Sequence, residues 1–373
     1  MARRRLFGYY RQFEGLSEEE VNAALREQAA ERRTRELARL EPLDLSRTTW
    51  PEYPHPAIVN AITFAARRGL HRYRDRASGE LRSELAHRHG VEEQRVVVGD
   101  GAAQLLSAAA TALMEPGDEL ITPWPSYPLY PVVARQARGH PVPVAGFAIE
   151  GILAAVNGRT RLVVVCNPND PTGELLAVDA LRTLLAELPE RVVVLVDEAL
   201  RDFTDVEELD ATLALLDDFP RLVLFRTFSK AWGLAGLRCG YALGGTGAEA
   251  LLDQLAPPLG VNELAQAGAL EAVRTVAGAV GQRGTTIAQH RRALADVLRD
   301  RGLEATPSQA NVVWLSAPGP HGGADLAAKL ERSGVIVQPG GGVGAPDRIR
   351  ITVPHRAEDV DRLLRALDIA RDG

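Results

Sequence analysis

The sequence predicts an α/β protein: a large domain with a mostly parallel sheet covered by helices on both faces, and a smaller α+β domain. Between residues 79 and 245, short apolar runs rich in β-branched residues alternate with segments of helix length. Continuous apolar runs are typical of strands that are buried on both faces of a parallel sheet. Beyond residue 257 a long helical stretch is followed by short strands, and a length of 373 residues favours two linked domains.

Composition narrows the possible classes of partner. The formal net charge is -6, and the one basic cluster, Arg3 to Arg5, is too short for a nucleic-acid footprint. No apolar stretch reaches the ~18 residues of a membrane span, and the N-terminus lacks a signal-peptide pattern, so we expect a cytoplasmic protein with no membrane partner. Cys166 and Cys239 are far apart and have no metal-ligand spacing around them, which predicts neither a disulfide nor a metal site.

The N-terminal part predicts an arm that precedes the large domain. Residues 1–41 are rich in Arg, Glu and Ala and predict one or two helices, with Ser17 and Glu20 spaced as a capping box. The proline-punctuated run from Trp50 to Pro56 predicts a loop, and a helix follows to about Arg68. We expect 1–55 to be an arm that also contributes to the small domain, 56–256 to be the large domain and 257–373 the C-terminal small domain.

The remaining elements follow from the same patterns. A helix is predicted from Ala102 to about Met114, a long helical stretch from Glu263 to Arg301 and a last helix from about Ala357. The sheet strands of the large domain are predicted at Arg95–Val98, Glu119–Ile121, Pro141–Val144, Arg161–Val165, Val192–Val196, Leu222–Phe225 and Cys239–Leu243. Those of the small domain are predicted at Asn311–Leu315, Val335–Gln338 and Arg348–Val353.

Loops that follow the strands are the places to search for a site, because open α/β sheets bind ligands beyond the carboxyl ends of their strands. Small residues from Gly99 to Gln104 would let a phosphate approach the N–H groups at a helix N-terminus, although a plain strand-to-helix turn has the same pattern. The run Cys166–Gly173 predicts a rigid polar turn that can position side chains against a ligand ring. Asp197 ends a buried strand, where a carboxylate can keep a pyridine nitrogen protonated or simply cap a helix.

Lys230 follows the strand at Leu222–Phe225. A lysine with apolar neighbours and a second cation nearby, here Arg238, has a lowered pKa and can form a Schiff base with an aldehyde. Thr227, Ser229 and Arg238 supply hydroxyl and guanidinium donors that suit a phosphate dianion. A lone lysine is more often a surface residue, but four such loops in order predict the attachment site of a phosphorylated aldehyde.

Motifs in three of these loops resemble a known family. Asn167 to Gly173 reads Asn-Pro-x-x-Pro-Thr-Gly, Asp197 to Ala199 reads Asp-Glu-Ala, and the glycine-rich run from Ser229 to Gly240 contains the lysine. Together they resemble the class I/II aminotransferases of fold type I, which use pyridoxal 5'-phosphate, with histidinol-phosphate aminotransferase as the nearest branch. The likeness extends from about His71 to Thr352. It implies the aspartate aminotransferase-like fold and a homodimer.

The resemblance also implies roles for particular residues. Lys230 would form the internal aldimine and later move a proton between the substrate Cα and the cofactor, while Asp197 would pair with the pyridinium nitrogen. Tyr127 would stack on the ring, and Arg350 would bind the substrate α-carboxylate, with Asn311 near that group. The cofactor phosphate would be held by Ala102, Ala103, Thr227, Ser229, Arg238 and the partner's Tyr73.

Two departures from the family pattern lie where it has donors to the cofactor's O3′. Asp170 replaces an asparagine, and Leu200 replaces a tyrosine. An ionised Asp170 cannot donate a hydrogen bond, but it could be protonated or could favour a cationic group on the substrate. Gln338 and Leu259 stand where the branch has an arginine and an aromatic residue, which weakens the case for a phosphorylated imidazole substrate.

We therefore predict a PLP-dependent aminotransferase that moves an amino group between an L-amino acid, or a related amine, and a 2-oxo acid. Three other reactions of the same cofactor stay open, namely decarboxylation, β-elimination and cyclisation. A catalytically idle PLP-binding protein is a further alternative, which Asp170 and Leu200 keep open and the intact Lys230 and Asp197 oppose.

Overall fold

The computed structural model describes residues 15–37, 41–73 and 75–372. The Arg3 to Arg5 cluster and the first part of the predicted arm lie outside these residues. The strands are β1 Leu43–Asp44, β2 Val96–Gly99, β3 Glu119–Trp124, β4 His140–Ala145, β5 Thr160–Cys166, β6 Val193–Asp197, β7 Leu222–Thr227, β8 Gly240–Gly244, β9 Ala305–Thr306, β10 Val312–Ser316, β11 Val335–Ile336, β12 Gln338–Pro339 and β13 Arg348–Thr352. The α-helices are α1 Glu18–Leu37, α2 Pro56–Gly69, α3 Gly79–His89, α4 Ala102–Leu113, α5 Leu129–Gln136, α6 Ile149–Ala155, α7 Val178–Glu187, α8 Glu249–Leu255, α9 Glu263–Thr275, α10 Ala277–Asp300, α11 Gly322–Arg332 and α12 Ala357–Asp372.

A seven-stranded sheet forms the centre of the fold, in the order β2-β8-β7-β6-β5-β3-β4. Strand β8 is antiparallel to both of its neighbours, and the other pairs are parallel. The prediction of a mostly parallel α/β sheet is therefore confirmed. All seven predicted strands of this sheet are present, with ends shifted by no more than three residues.

The sheet is buried on both faces, which explains why its strands are continuous apolar runs. Val194 and Val196 of β6 pack into one hydrophobic cluster, whereas Leu195 between them packs into the cluster on the other face. Neighbouring β5 repeats this alternation, with Val163 and Val164 on opposite sides. Each fully buried side chain of this size stabilises the fold by about 1.5–3 kcal/mol.

The C-terminal part carries a smaller antiparallel sheet in the order β12-β13-β10-β9. A separate two-stranded parallel pair joins β1 to β11, so a segment from the N-terminal part of the chain pairs with the C-terminal part. Helix α1 contacts α12, and its N-terminus has the predicted capping box, in which Ser17 and Glu20 exchange backbone and side-chain hydrogen bonds. No helix among the described residues is long and apolar enough to cross a membrane.

The long helical stretch expected from Glu263 to Arg301 is present, but it is not continuous. The chain forms two helices, α9 and α10, that meet at Val276, where φ is -117° and ψ is 4°. Val276 is buried among apolar side chains of the core, so packing holds it in this non-helical conformation. The apolar period continues across the junction, which is why the sequence pattern does not reveal it.

Candidate active site

A cavity of about 190 Å³ opens at the carboxyl edge of the large sheet, beyond the ends of β2, β5, β6 and β7. This is the edge at which open α/β sheets bind ligands. Nine of the twelve residues predicted to form the site line this cavity: Ala102, Ala103, Tyr127, Asp170, Asp197, Thr227, Ser229, Lys230 and Arg238. The four strand-end loops therefore meet at one place.

Lys230 lies three residues beyond β7, and its ammonium group donates a hydrogen bond to the hydroxyl of Thr48. Burial lowers the pKa of Lys230, and Arg350 lowers it further, against the opposing effects of Asp170 and Asp197. The expectation of a lowered pKa agrees with this direction. Arg350 is a cation beside Lys230 in addition to the expected Arg238, which lines the same cavity. Lysine occurs at only two positions in the chain, and the other is Lys329.

Asp197 is the last residue of β6 and is almost completely buried. One carboxylate oxygen accepts a hydrogen bond from the hydroxyl of Tyr130 at 3.0 Å, and the other accepts one from the N–H of Ala199 at 3.1 Å. Burial raises the pKa of Asp197 to about 6, while these two donors and nearby Lys230 act in the opposite direction. A positively charged ring nitrogen beside Asp197 would also lower the pKa of this carboxyl group and so keep it ionised.

The opposite end of the cavity fits a phosphate group. The first N–H groups of α4, at Ala102 and Ala103, have no acceptor within the helix and carry the positive end of its dipole. Arg238 reaches this helix start, since a Cβ placed on Gly101 would lie 2.7 Å from its Nη2 atom. Arg238 also has a left-handed backbone, with φ of 52°, which is uncommon for a residue other than glycine. The helix start, Arg238 and the hydroxyls of Thr227 and Ser229 together form a donor set that suits a phosphate.

The polar turn after β5 is held by its asparagines. Asn169 accepts a hydrogen bond from Ser126 at 2.7 Å and donates to Thr172 at 2.8 Å, which fastens the turn to the loop after β3. Asn167 exchanges hydrogen bonds with the backbone of Leu176. Asp170 instead extends out of the turn toward Arg350, whose Nη1 atom lies 2.6 Å from the Asp170 Oδ1 atom. Arg350 is therefore a partly buried ion-pair partner and not a solvent-facing strand residue.

Asn311 reaches the site indirectly. It is buried, and its amide nitrogen donates to the carbonyl oxygen of Thr48 at 3.1 Å. Thr48 in turn contacts Lys230 through its hydroxyl. The structure thus connects Asn311 to the lysine through the segment before Trp50.

Two neighbours of the expected ring position, Leu200 and Tyr127, differ in exposure. Leu200 is buried and lines the cavity with its apolar side chain, in place of a hydroxyl donor. Tyr127 is 39% exposed and lines the same cavity, with its ring edge-on to that of Tyr130 at a centroid distance of 5.8 Å. Burial and the charges of Asp197 and Asp170 raise the pKa of Tyr127, so its hydroxyl stays protonated at neutral pH.

Arg350 and Asn311 do not line the cavity but contact Asp170 and Thr48 beside it, whereas Tyr73 is the predicted residue that the single chain leaves away from the site. Its side chain is 89% exposed, and it is absent from the cavity lining. Its role across a subunit interface stays a prediction.

Sequence reasoning missed three residues of the site. Thr48 contacts Lys230, Thr49 lines the cavity and Tyr130 donates to Asp197. Two threonines before a proline-rich loop and a tyrosine on an amphipathic helix give no chemical signal of their own. Glu198, which adjoins Asp197, lies behind the site and pairs with Arg226 at 2.8 Å.

Comparisons with known proteins agree with this geometry. Residues 41–367 match the family model described as aminotransferase class I and II. The aromatic amino acid aminotransferase of Corynebacterium efficiens is 37% identical over 86% of this chain and 91% of its own length. That of Streptomyces coelicolor is 36% identical over 83% of this chain and 85% of its own. Histidinol-phosphate aminotransferase from Sinorhizobium meliloti, solved in complex with pyridoxal-5'-phosphate, superimposes with a TM-score of 0.80 at 26% identity, over 92% of this chain and 94% of that chain.

Proposed function

The chain belongs to the class I and II aminotransferases and is a pyridoxal phosphate-dependent aminotransferase, and from that premise we propose which residues act and on what. The proposal rests on one observation. Lys230, Asp197 and Arg238 line the same cavity. An amine, a carboxylate and a phosphate-binding arginine are the three groups that this cofactor requires from a protein. Bound pyridoxal phosphate supplies an aldehyde carbon and a ring that accepts electrons.

Each residue has a separate task in this proposal. Lys230 Nζ would be the amine that holds the cofactor through its aldehyde, and it would move a proton to and from the substrate Cα. Its lowered pKa favours the neutral form, which is the nucleophile and the base. Asp197 holds a proton on the ring nitrogen, and Tyr130 and Ala199 hold Asp197 in position.

The phosphate is proposed to bind at the start of α4. Ala102 and Ala103 would donate backbone N–H groups, and Thr227, Ser229 and Arg238 would supply hydroxyl and guanidinium donors. Tyr127 would cover one face of the ring. On the substrate side, Arg350 is the guanidinium beside Lys230, and Asn311 supports the segment that contacts the lysine.

We propose that the amino donor carries an aromatic side chain and is an L-amino acid or a related amine, with a 2-oxo acid as acceptor. Curated relatives at 36–37% identity are named aromatic amino acid aminotransferases, which supports this choice. The described residues that line the cavity include only two cations, Lys230 and Arg238. With both assigned to the cofactor, no third lining cation remains for a phosphate on the substrate, which disfavours histidinol phosphate.

The division into domains, the oligomeric state and the cellular location are also proposed. The central sheet lies within 96–244 and the small sheet within 305–352, which supports the division into 1–55, 56–256 and 257–373. We further propose a homodimer in which Tyr73 serves the partner's phosphate site, and a cytoplasmic location. Sedimentation analysis tests the dimer, and fractionation of the source cells tests the location.

The test of the donor class is a panel of amino acids and amines with 2-oxoglutarate as acceptor. Formation of glutamate with phenylalanine, tyrosine, tryptophan or their amines, and little with histidinol phosphate or aspartate, is the expected result. Release of carbon dioxide or ammonia without glutamate would instead indicate decarboxylation or elimination. A preference for histidinol phosphate would contradict the proposed side-chain class.

A further inference from the structure

The ion pair between Asp170 and Arg350 lies beside Lys230, where the proposed function requires the substrate to bind. Its two atoms, Arg350 Nη1 and Asp170 Oδ1, are 2.6 Å apart, and the side chains are only 15% and 10% exposed. Asp170 comes from the turn after β5, whereas Arg350 comes from β13 of the small sheet. Because the pair is shielded from water, the Coulombic attraction between its two charges is stronger than in a pair on the surface.

The other two nitrogen atoms of the Arg350 guanidinium are also either hydrogen-bonded or buried. Its Nη2 atom donates to the carbonyl oxygen of Ser46, and its Nε atom is buried without a hydrogen-bond partner. A carboxylate binds an arginine most strongly through two parallel hydrogen bonds. An incoming carboxylate would therefore have to displace Asp170, Ser46 or both before it could form that arrangement with the Nη atoms.

The charges around Asp170 do not favour a second carboxylate. The charged or titratable groups that act with it in the site are Arg350 and Lys230, which are basic, and Asp197, Tyr127 and Cys166, which are acidic. In the proposed function Lys230 would be bound to the cofactor, and Asp197 would pair with the ring nitrogen. Neither is then available to Asp170 or to a substrate carboxylate. Among these described groups, Arg350 is then the cation left to neutralise Asp170, and a substrate carboxylate would have to share it.

Building on the proposed function, we propose that Asp170 is a specificity-determining residue that holds Arg350 in place of a substrate carboxylate. The donor that this site favours then carries a neutral group, and not a carboxylate, on the carbon that bears the amine. Within the aromatic class this means an arylalkylamine or an aromatic amino alcohol. Such a donor leaves the Asp170–Arg350 pair intact, whereas an amino acid has to break it.

The experiment compares two donors that differ only in the carboxylate, L-phenylalanine and 2-phenylethylamine. Each is mixed with the cofactor-loaded enzyme without an acceptor, and kcat/KM of this half-reaction is followed by the absorbance of the bound cofactor. The wild type is expected to use the amine at least as well as the amino acid. Asp170→Asn removes the competing charge, and the ratio should move toward phenylalanine by about 10- to 100-fold, as expected for a hydrogen bond to a charged group.

Two further variants make the result specific. Asp170→Glu keeps the carboxylate and is expected to retain the preference for the amine. Asp296→Asn removes an exposed carboxylate that pairs with Arg299 on α10, and it is expected to leave the ratio unchanged. A ratio that stays within about twofold in Asp170→Asn, or a wild type that strongly prefers phenylalanine, would overturn the inference.

Binding of 3-phenylpropanoate, an unreactive carboxylate, separates this inference from the proposed function. Calorimetry should find that Asp170→Asn binds it about 10- to 100-fold more tightly than the wild type and Asp296→Asn do. If neither donor converts the cofactor, the proposed function fails, but tighter binding by Asp170→Asn would still support the competition for Arg350. Equal binding by the wild type and Asp170→Asn would refute that competition.

Discussion

Replacing Tyr130 with phenylalanine tests how the ring-nitrogen partner is held. The Tyr130 hydroxyl donates to Asp197 at 3.0 Å, and the ring is fully buried, so the substitution removes one hydrogen bond and little packing. A hydrogen bond to a charged group stabilises it by about 1.5–3 kcal/mol. With only the Ala199 N–H left as a donor, the pKa of Asp197 should rise from about 6 by about one to two units.

Loss of the hydrogen bond from Tyr130 to Asp197 should weaken binding of the cofactor. Near neutral pH more of the variant's Asp197 is protonated, so less of the protein presents a carboxylate to the ring nitrogen. Titration of the cofactor-free protein with pyridoxal phosphate at neutral pH is expected to give a dissociation constant about 2- to 10-fold higher than that of the wild type, since the ionised fraction of Asp197 falls by that factor. Affinity should also fall as pH decreases, with a midpoint that lies higher in the variant because protonation of Asp197 removes the partner charge.

Tyr241→Phe is the matched control. Tyr241 is also a buried tyrosine, but its hydroxyl meets His89 Nε2 at 3.0 Å and it does not line the cavity. Its substitution should change cofactor affinity by less than about twofold, as expected away from the site. If Tyr130→Phe binds the cofactor as the wild type does, or if both variants lose the same amount, Tyr130 does not act through Asp197.

Three further predictions concern other parts of the site. Arg238→Gln should weaken binding of pyridoxal phosphate by about 10-fold or more while changing the affinity for pyridoxal little, because only the former has the phosphate; equal losses would refute the assignment. In the cofactor-free protein, the raised pKa of Asp197 means that its favourable contribution is present at low pH and is lost as pH rises from about 4 to about 6. Urea unfolding should therefore show the wild type losing about 3 kcal/mol relative to Asp197→Asn across that range, and a constant difference would contradict it. Mixing Tyr73→Ala with Lys230→Ala subunits should restore activity if Tyr73 serves the partner's site, and unrestored activity in verified mixed dimers would refute this.

Local patterns were enough to predict the large sheet and the loops that end its strands. Runs such as Val192–Val196 are apolar because both faces of the sheet are covered, and the polar residue after the run marks the edge at which the chain leaves the core. Asp197 and Lys230 could therefore be identified as site candidates before any contact was known. The break at Val276 could not be predicted, because it depends on packing and leaves the helical period unchanged.

The contacts that shape the chemistry join residues that are distant in sequence. Thr48 meets Lys230 across 182 positions, Asp170 meets Arg350 across 180, and Tyr130 meets Asp197 across 67. None of these pairs has a spacing signal, since each depends on how separate strands and loops are placed. The sequence shows that Asp170 departs from the family pattern. Its pairing with Arg350 is visible only in the fold.

The most direct test of the account is the site at which the cofactor attaches. The protein is loaded with pyridoxal phosphate and reduced with borohydride, which makes the attachment permanent, and its peptides are analysed by mass spectrometry. Lys329, whose ammonium group donates to the carbonyl of Ala370 at 3.0 Å, is the internal control because it is the only other lysine. We predict one cofactor on Lys230, none on Lys329 and no label in Lys230→Ala. Label on Lys329 alone, or an unlabelled wild type, would contradict it.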